Sequence, residues 1–261
     1  MSTAYAMVSE FALDGAPFDQ APLDPGRERR SYVICTTPRS GSWMLCRQLY
    51  NAGLGVPSEY FNELHLVPLC KRWGVDPRDT RAYLAALRMH RTTANGAWGA
   101  KLMWTQFAGR RSALKIALFG GALPILLVRD DRTAQAISML TAWITGVWEL
   151  DAAPTTPPRR DLDWDPVNVA SLEQAFARDN AYWDAFFVSR RVVPLVVRYE
   201  AFVADQPGTV TRIARALGYA DGEYALPPPE PRPNVLPDAI EARRRELLER
   251  VRRERAAASP G

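Results

Sequence analysis

The sequence predicts an α/β fold in which a central parallel sheet is flanked by helices. A short apolar, β-branched run at 31–36 reads as a buried strand, and 97–102, 124–128 and 194–197 are further buried-strand candidates. Helical patterns separate them, at 43–49, 78–89, 133–148 and 171–189. Strands alternating with helices place a parallel sheet between two helical layers.

In chain order, residues 1–30 predict a flexible arm. Pro17, Pro22, Pro25 and Gly26 precede the charged run Arg27-Glu28-Arg29-Arg30. The first strand, 31–36, ends in the turn-forming set Thr37-Pro38-Arg39-Ser40-Gly41-Ser42, and the helix that follows stops near Gly53. Ser171 with Gln174 three residues on predicts a capping box opening the helix 171–189. The four prolines and paired Arg159-Arg160 of 151–166 predict an exposed loop or lid. Residues 240–255 predict a charge-rich helix with a thin stripe of Leu247, Leu248 and Val251, its arginines on a solvated face. The whole reads as one domain over 31–261 behind the arm.

The 261 residues, 47% of them apolar, suffice for a sizeable core. Basic residues number 33 against 29 acidic, for a net charge of +4, yet Lys occurs only at Lys71, Lys101 and Lys115 and the other 30 are Arg. Arg binds phosphate-like groups through a planar fork, though a high-GC genome would produce the same bias. Cys35, Cys46 and Cys70 form no CxxC pair and no disulfide framework, which predicts a reducing cytosol. The first 20 residues lack the basic and apolar regions of a signal peptide, and the longest uncharged apolar stretch, 134–148, is too short to span a bilayer. A cytoplasmic protein with no membrane span and no nucleic-acid partner follows as the expectation.

A strand, a tight glycine turn and a helix make the frame of many phosphate binders. The N–H groups of Gly41, Ser42 and Trp43 would point from the helix start towards an anion. Gly41 permits close approach, Arg39 adds a forked cation, and Ser40 and Ser42 add hydroxyls. An ordinary connecting turn with a surface Arg would look the same. The chain has no Gly-Lys dipeptide for a nucleotide triphosphatase loop, no GxGxxG, no HExxH and no GxSxG.

Thr37-Pro-Arg-Ser-Gly-Ser42 after a strand resembles the 5′-phosphosulfate loop of sulfotransferases that use 3′-phosphoadenylyl sulfate (PAPS). Downstream, strand 124–128 runs into Arg129, with Ser138 nine residues later on the next helix. That pair is similar to the 3′-phosphate motif of the bacterial trehalose sulfotransferase and nodulation-type (NodH-like) branch. Residues 95–104, Asn-Gly-Ala-Trp-Gly-Ala-Lys-Leu-Met-Trp, and more weakly Val197-Arg-Tyr-Glu200, resemble segments of the same branch, in the same order.

The resemblance implies a P-loop-like sulfotransferase fold and transfer of the sulfuryl group from PAPS to a hydroxyl of a sugar or glycosylated metabolite, without a metal. Thr37, Pro38, Arg39, Ser40, Gly41, Ser42 and Trp43 would hold the 5′-phosphosulfate. Arg129 and Ser138, with Arg232 as a late-chain contact, would hold the 3′-phosphate. It places the catalytic base at Glu59, where Tyr60 and Phe61 would desolvate the carboxylate and raise its pKa. His65 is the rival base, set against a plain surface histidine. Lys101, a lysine kept at a strand end in an Arg-rich chain, is a candidate contact to the sulfuryl group or acceptor, or else a structural residue. Trehalose-type members often carry Thr where this chain has Trp43, which removes one hydroxyl ligand. A homodimer is compatible with the family. Two other readings stay open: a kinase-like phosphotransferase using Asp130 and Asp131 with Mg²⁺, and a non-catalytic nucleotide-binding protein.

Overall fold

Strand β1 (Arg30–Thr36) is buried from Tyr32 to Thr36. Val33 and Cys35 enter one hydrophobic cluster, and Tyr32 and Ile34 enter another. A strand buried on both faces belongs inside a parallel sheet. The computed structural model, which describes residues 18–22, 28–109, 112–148, 156–230 and 236–258, pairs β1 on both edges. Strands β2 (Ala97–Met103), β3 (Leu123–Val128) and β4 (Leu195–Arg198) complete a parallel sheet of order β2-β1-β3-β4. Ile34 sits opposite Lys101 on one side and Ile125 on the other. From β1 the chain goes to β2 on one side, and from β3 to β4 on the other. The carboxyl ends of β1 and β3 therefore flank the reversal point, where open parallel sheets bind ligands.

The helices are α1 (Ser42–Asn51), α2 (Glu63–Trp73), α3 (Thr80–His90), α4 (Trp104–Ala108), α5 (Ser112–Phe119), α6 (Arg132–Thr145), α7 (Pro166–Arg190), α8 (Tyr199–Ala204), α9 (Gln206–Ala216) and α10 (Asp238–Ala258). The described residues gather into two compact units, 18–128 with 179–230 and 129–178 with 236–258. In the first, α1 and α9 cover one face of the sheet with Leu45, Leu49, Val210 and Ile213, while α2 and α3 cover the other with Leu69, Tyr83 and Leu87. The second has its own core, in which Ile137 and Leu140 of α6, Leu172 and Phe176 of α7, and Leu247 and Val251 of α10 meet. The thin stripe of the last helix is thus a packing face.

The four strands lie where the hydrophobic runs predict them. The helix predicted at 171–189 begins instead at Pro166, where Asp165 Oδ1 accepts from the Val167 N–H at 2.7 Å. Proline is pre-shaped for a first helical position. Ser171 is an interior residue whose hydroxyl donates to the Val167 carbonyl at 2.9 Å, so the proposed capping box is no cap. Helix α2 escapes the sequence pattern because Pro68 lies inside it. Asn62 caps its start, accepting from the Leu64 N–H, and Gly74 ends it in the left-handed region.

The arm expected to be flexible over 1–30 is anchored at residues 18–20. The Asp19 carboxylate meets Arg72 at 2.6 Å and the fully buried Arg91 at 3.2 Å. The Gln20 N–H donates to the His90 carbonyl at 2.8 Å, and Phe18 packs edge-on against Tyr50. Among the described residues no helix is long and apolar enough to cross a membrane. Of the lid predicted at 151–166, residues 151–155 lie outside the described residues.

Candidate active site

The turn after β1 is held from below. Thr36 Oγ1 lies 2.6 Å from the Ser40 hydroxyl and donates to the Leu127 carbonyl of β3 at 2.8 Å. Trp183 Nε1 donates to the Thr36 carbonyl at 3.2 Å. Ser40 is fully buried, and its hydroxyl ties the loop to Thr36. Arg39 takes a left-handed conformation with φ 62°, unusual for a residue with a Cβ and a mark of functional loops. Gly41 follows at φ 81°. It is the N-cap of α1, where no side chain caps the helix and the first turn carries no acidic residue. The positive end of the helix dipole is thus left unneutralised by the helix's own side chains.

Glu59 reaches the same region from the connection between α1 and α2. That connection runs along the outer edge of β2, where the Lys101 N–H donates to the Ser58 carbonyl at 2.9 Å. Tyr60 and Phe61 turn into the core, and the Tyr83 hydroxyl donates to the Tyr60 carbonyl at 2.7 Å. Glu59 stays at the site. Its Oε1 forms a 2.7 Å ion pair with Lys101 Nζ. Its Oε2 accepts from Gln106 Nε2 at 2.8 Å and from Asn62 Nδ2 at 3.3 Å.

Both amides are oriented by backbone groups. Gln106 Oε1 accepts from the Met103 N–H, and Asn62 Oδ1 from the Leu64 N–H, so each turns its NH₂ to the carboxylate. The Lys101 side chain, 1% exposed, also lies over the Trp43 ring, 4.7 Å from its centroid.

The electrostatics differ from the sequence expectation. Burial does push the Glu59 carboxyl up. The Lys101 charge, hydrogen bonds from Lys101 and Gln106, and nearby His65 outweigh it and hold the pKa at about 2. Tyr60 and Phe61 are visible beside Glu59 in the sequence; the opposing lysine lies on β2, 42 residues further on. His65 is no surface residue either. It is buried, its Nδ1 has no hydrogen-bond partner, and burial lowers its pKa to about 4, with Glu59 opposing and Lys101 adding to the shift. The Cys46 thiol beside this pair is pushed up to about 12 by burial, so it is no nucleophile.

The structure thus brings Trp43, Glu59 and Lys101 together, with Gln106 and Asn62 as partners the sequence reading missed. Their one sequence signal is an amide near a helix start. Tyr199, within the weakest matching segment, lies against the loop: a Cβ on Gly41 would clash with its ring. Arg129 follows β3 directly, and Ser138 lies in the second turn of α6, both in the second unit. Asp131 caps α6, accepting from the Ala134 N–H at 2.8 Å. Thr37 is buried and Pro38 half-buried; Arg232 lies outside the described residues. Among the described residues no group of three or more His, Cys, Asp or Glu side chains could hold a metal ion.

Residues 31–254 match the family described as Stf0 sulphotransferase. The chain belongs to that family. It is 26% identical over 232 residues to a trehalose 2-sulfotransferase of Mycobacterium tuberculosis (strain Erdman), covering 74% of this chain and 85% of the relative. It is also 26% identical over 262 residues to a trehalose 2-sulfotransferase of Mycolicibacterium smegmatis, covering 86% and 95% respectively. The sulfotransferase domain of the Synechococcus PCC 7002 olefin synthase superposes with a TM-score of 0.45 at 18% identity, over 87% of this chain and 96% of that one.

Proposed function

We propose that this Stf0-family chain moves the sulfuryl group of PAPS to a hydroxyl of a sugar or glycosylated metabolite. The observation that carries the reading is the Glu59–Lys101 pair at 2.7 Å, set beside the first turn of the loop helix through Trp43. A carboxylate able to take a proton and a cation able to meet a sulfonate thus stand together at an anion-binding loop. The two trehalose 2-sulfotransferase relatives favour a sugar as the acceptor.

In this reading the backbone of Arg39–Trp43 and the Arg39 guanidinium hold the 5′-phosphosulfate, with Ser40 shaping the loop. Arg129, Ser138 and Arg232 hold the 3′-phosphate. Glu59 takes the acceptor's hydroxyl proton as the oxygen attacks sulfur. The new O–S bond forms while the bond from sulfur to the 5′-phosphate oxygen breaks, and adenosine 3′,5′-bisphosphate leaves. Lys101 offsets charge on the transferring group. A carboxylate paired as Glu59 is here makes a weak base, so Lys101 has to release it before proton transfer.

Radiolabelled PAPS with a panel of sugars tests the reading. Label should pass to a sugar, and Glu59→Gln should keep donor binding while turnover falls at least about a hundredfold, the usual scale of general-base loss. Absence of a melting shift with adenosine 3′,5′-bisphosphate, or a shift matched by ATP, overturns the donor assignment.

A further inference from the structure

Trp43 is the second residue of α1 and so part of the turn that ends the loop. Its ring faces the Lys101 ammonium at 4.7 Å from the centroid, and the same ammonium is 2.7 Å from Glu59. Lys101 is buried, and a desolvated cation over an indole is held far more firmly than one in water. Three elements thus meet on one nitrogen: the helix that ends the loop, the strand that carries Lys101, and the connection that carries Glu59. An anion seated at the start of α1 would lie against the turn that carries Trp43, whose ring reaches that nitrogen.

We propose that Trp43 is a positioning residue that aims the Lys101 ammonium, and that a sulfonate or phosphate on the loop draws Lys101 away from Glu59 and leaves the carboxylate to accept the acceptor's proton. The other charged or titratable groups facing Glu59 are His65 from α2 and Cys46 from α1, and neither carries charge at neutral pH. Release of Lys101 is therefore the main charge change open to Glu59. The inference rests on the loop taking the phosphosulfate.

The chain's three lysines make the test direct. With ¹³C-labelled lysine ε-carbons, Lys101 is assigned by its loss in Lys101→Arg. Its ε-proton signal should sit well upfield of that of Lys71, because the Trp43 ring shields it. Lys115, whose ammonium lies 4.7 Å from the Phe107 centroid, is the internal control: its signal should stay in place in the Trp43 variants. Trp43→Phe should keep part of that displacement, and Trp43→Leu should abolish it. Titrating adenosine 3′,5′-bisphosphate into the wild type should move the signal in parallel with binding followed by calorimetry. In turnover, Trp43→Leu should lower kcat about tenfold with the KM for PAPS within about threefold. A merely structural role would change the KM and melting temperature instead. A Lys101 signal that ignores bound bisphosphate, or that is identical in Trp43→Leu, overturns the inference. Failure of the bisphosphate to bind at all overturns the function proposed above instead.

Discussion

The ring of Tyr199 occupies the space that a Cβ on Gly41 would need. Built on the Gly41 backbone, that carbon falls 2.4 Å from Tyr199 Cδ2 and 2.6 Å from Cε2. The loop residue with φ 81° is therefore closed in by an aromatic side chain from the first turn after β4. The ring and the positive φ are two separate reasons for glycine here.

Gly41→Ala combines both penalties. The left-handed conformation costs an alanine about 1–2 kcal/mol, and the ring must also move. Affinity for adenosine 3′,5′-bisphosphate, measured by calorimetry, should fall at least tenfold. Adding Tyr199→Ala removes the clash but not the backbone cost, so the double variant should regain part of the loss. Equal affinity in the two variants would mean that the ring is not the constraint.

The buried pair should also show in the pH dependence of stability. Unfolded, His65 takes up a proton near pH 6.5 and Glu59 near 4.5; folded, they do so at about 4 and about 2. Across both windows the unfolded chain binds more protons, so acid destabilises the fold, first through His65 and then through Glu59. The Glu59 part is on the order of 3 kcal/mol between pH 4.5 and 2. In urea unfolding, Glu59→Gln should flatten the slope below pH 4.5, and His65→Gln the slope between 6.5 and 4. An unchanged slope in Glu59→Gln would show that the carboxylate is not paired in solution.

The anchored arm gives a stability test away from the site. Arg91 is 0% exposed, and Asp19 is its carboxylate partner at 3.2 Å. Removing the carboxylate of such a pair takes a countercharge away from a buried guanidinium, at a cost of about 3 kcal/mol. Asp19→Asn should therefore lower the melting temperature by several degrees, while Arg72→Gln, at the exposed side of the same carboxylate, should cost much less. Equal losses would place the energy in the surface pair.

The unit β1–turn–α1 is legible in the sequence because its signals are local. The apolar run, the Pro-Arg-Ser-Gly turn and the helical spacing of Leu45, Cys46 and Leu49 all lie within 20 residues or so of one another, and each residue's role depends on near neighbours. The same holds for Arg129 after β3. What the sequence hides depends on residues that only the sheet brings together. Glu59 looks desolvated beside Tyr60 and Phe61, yet its net shift is set by Lys101 on β2 and Gln106 on α4. The Ser40 hydroxyl meets Thr36 Oγ1, whose own acceptor is the Leu127 carbonyl on β3, a tie across the sheet that the turn's residues do not show. His65 reads as exposed because α2, with Pro68 inside, does not announce itself as a helix.

Arg39 separates backbone strain from charge. Its φ of 62° is unfavourable for any residue with a Cβ, while glycine adopts it freely. Arg39→Ala and Arg39→Gly both delete the guanidinium, but only the glycine relieves the backbone. The glycine variant should therefore be more stable than the alanine variant by about 1 kcal/mol, less the entropy glycine adds to the unfolded chain. Both should lose donor affinity alike, by at least tenfold, as fits the loss of a charge-assisted hydrogen bond to phosphate. Thermal melting reads the first difference and calorimetry with adenosine 3′,5′-bisphosphate the second. If the alanine variant binds as well as the wild type, Arg39 shapes the loop without touching the donor. If the two variants melt alike, the left-handed turn carries no strain, and the guanidinium alone accounts for an arginine at this position.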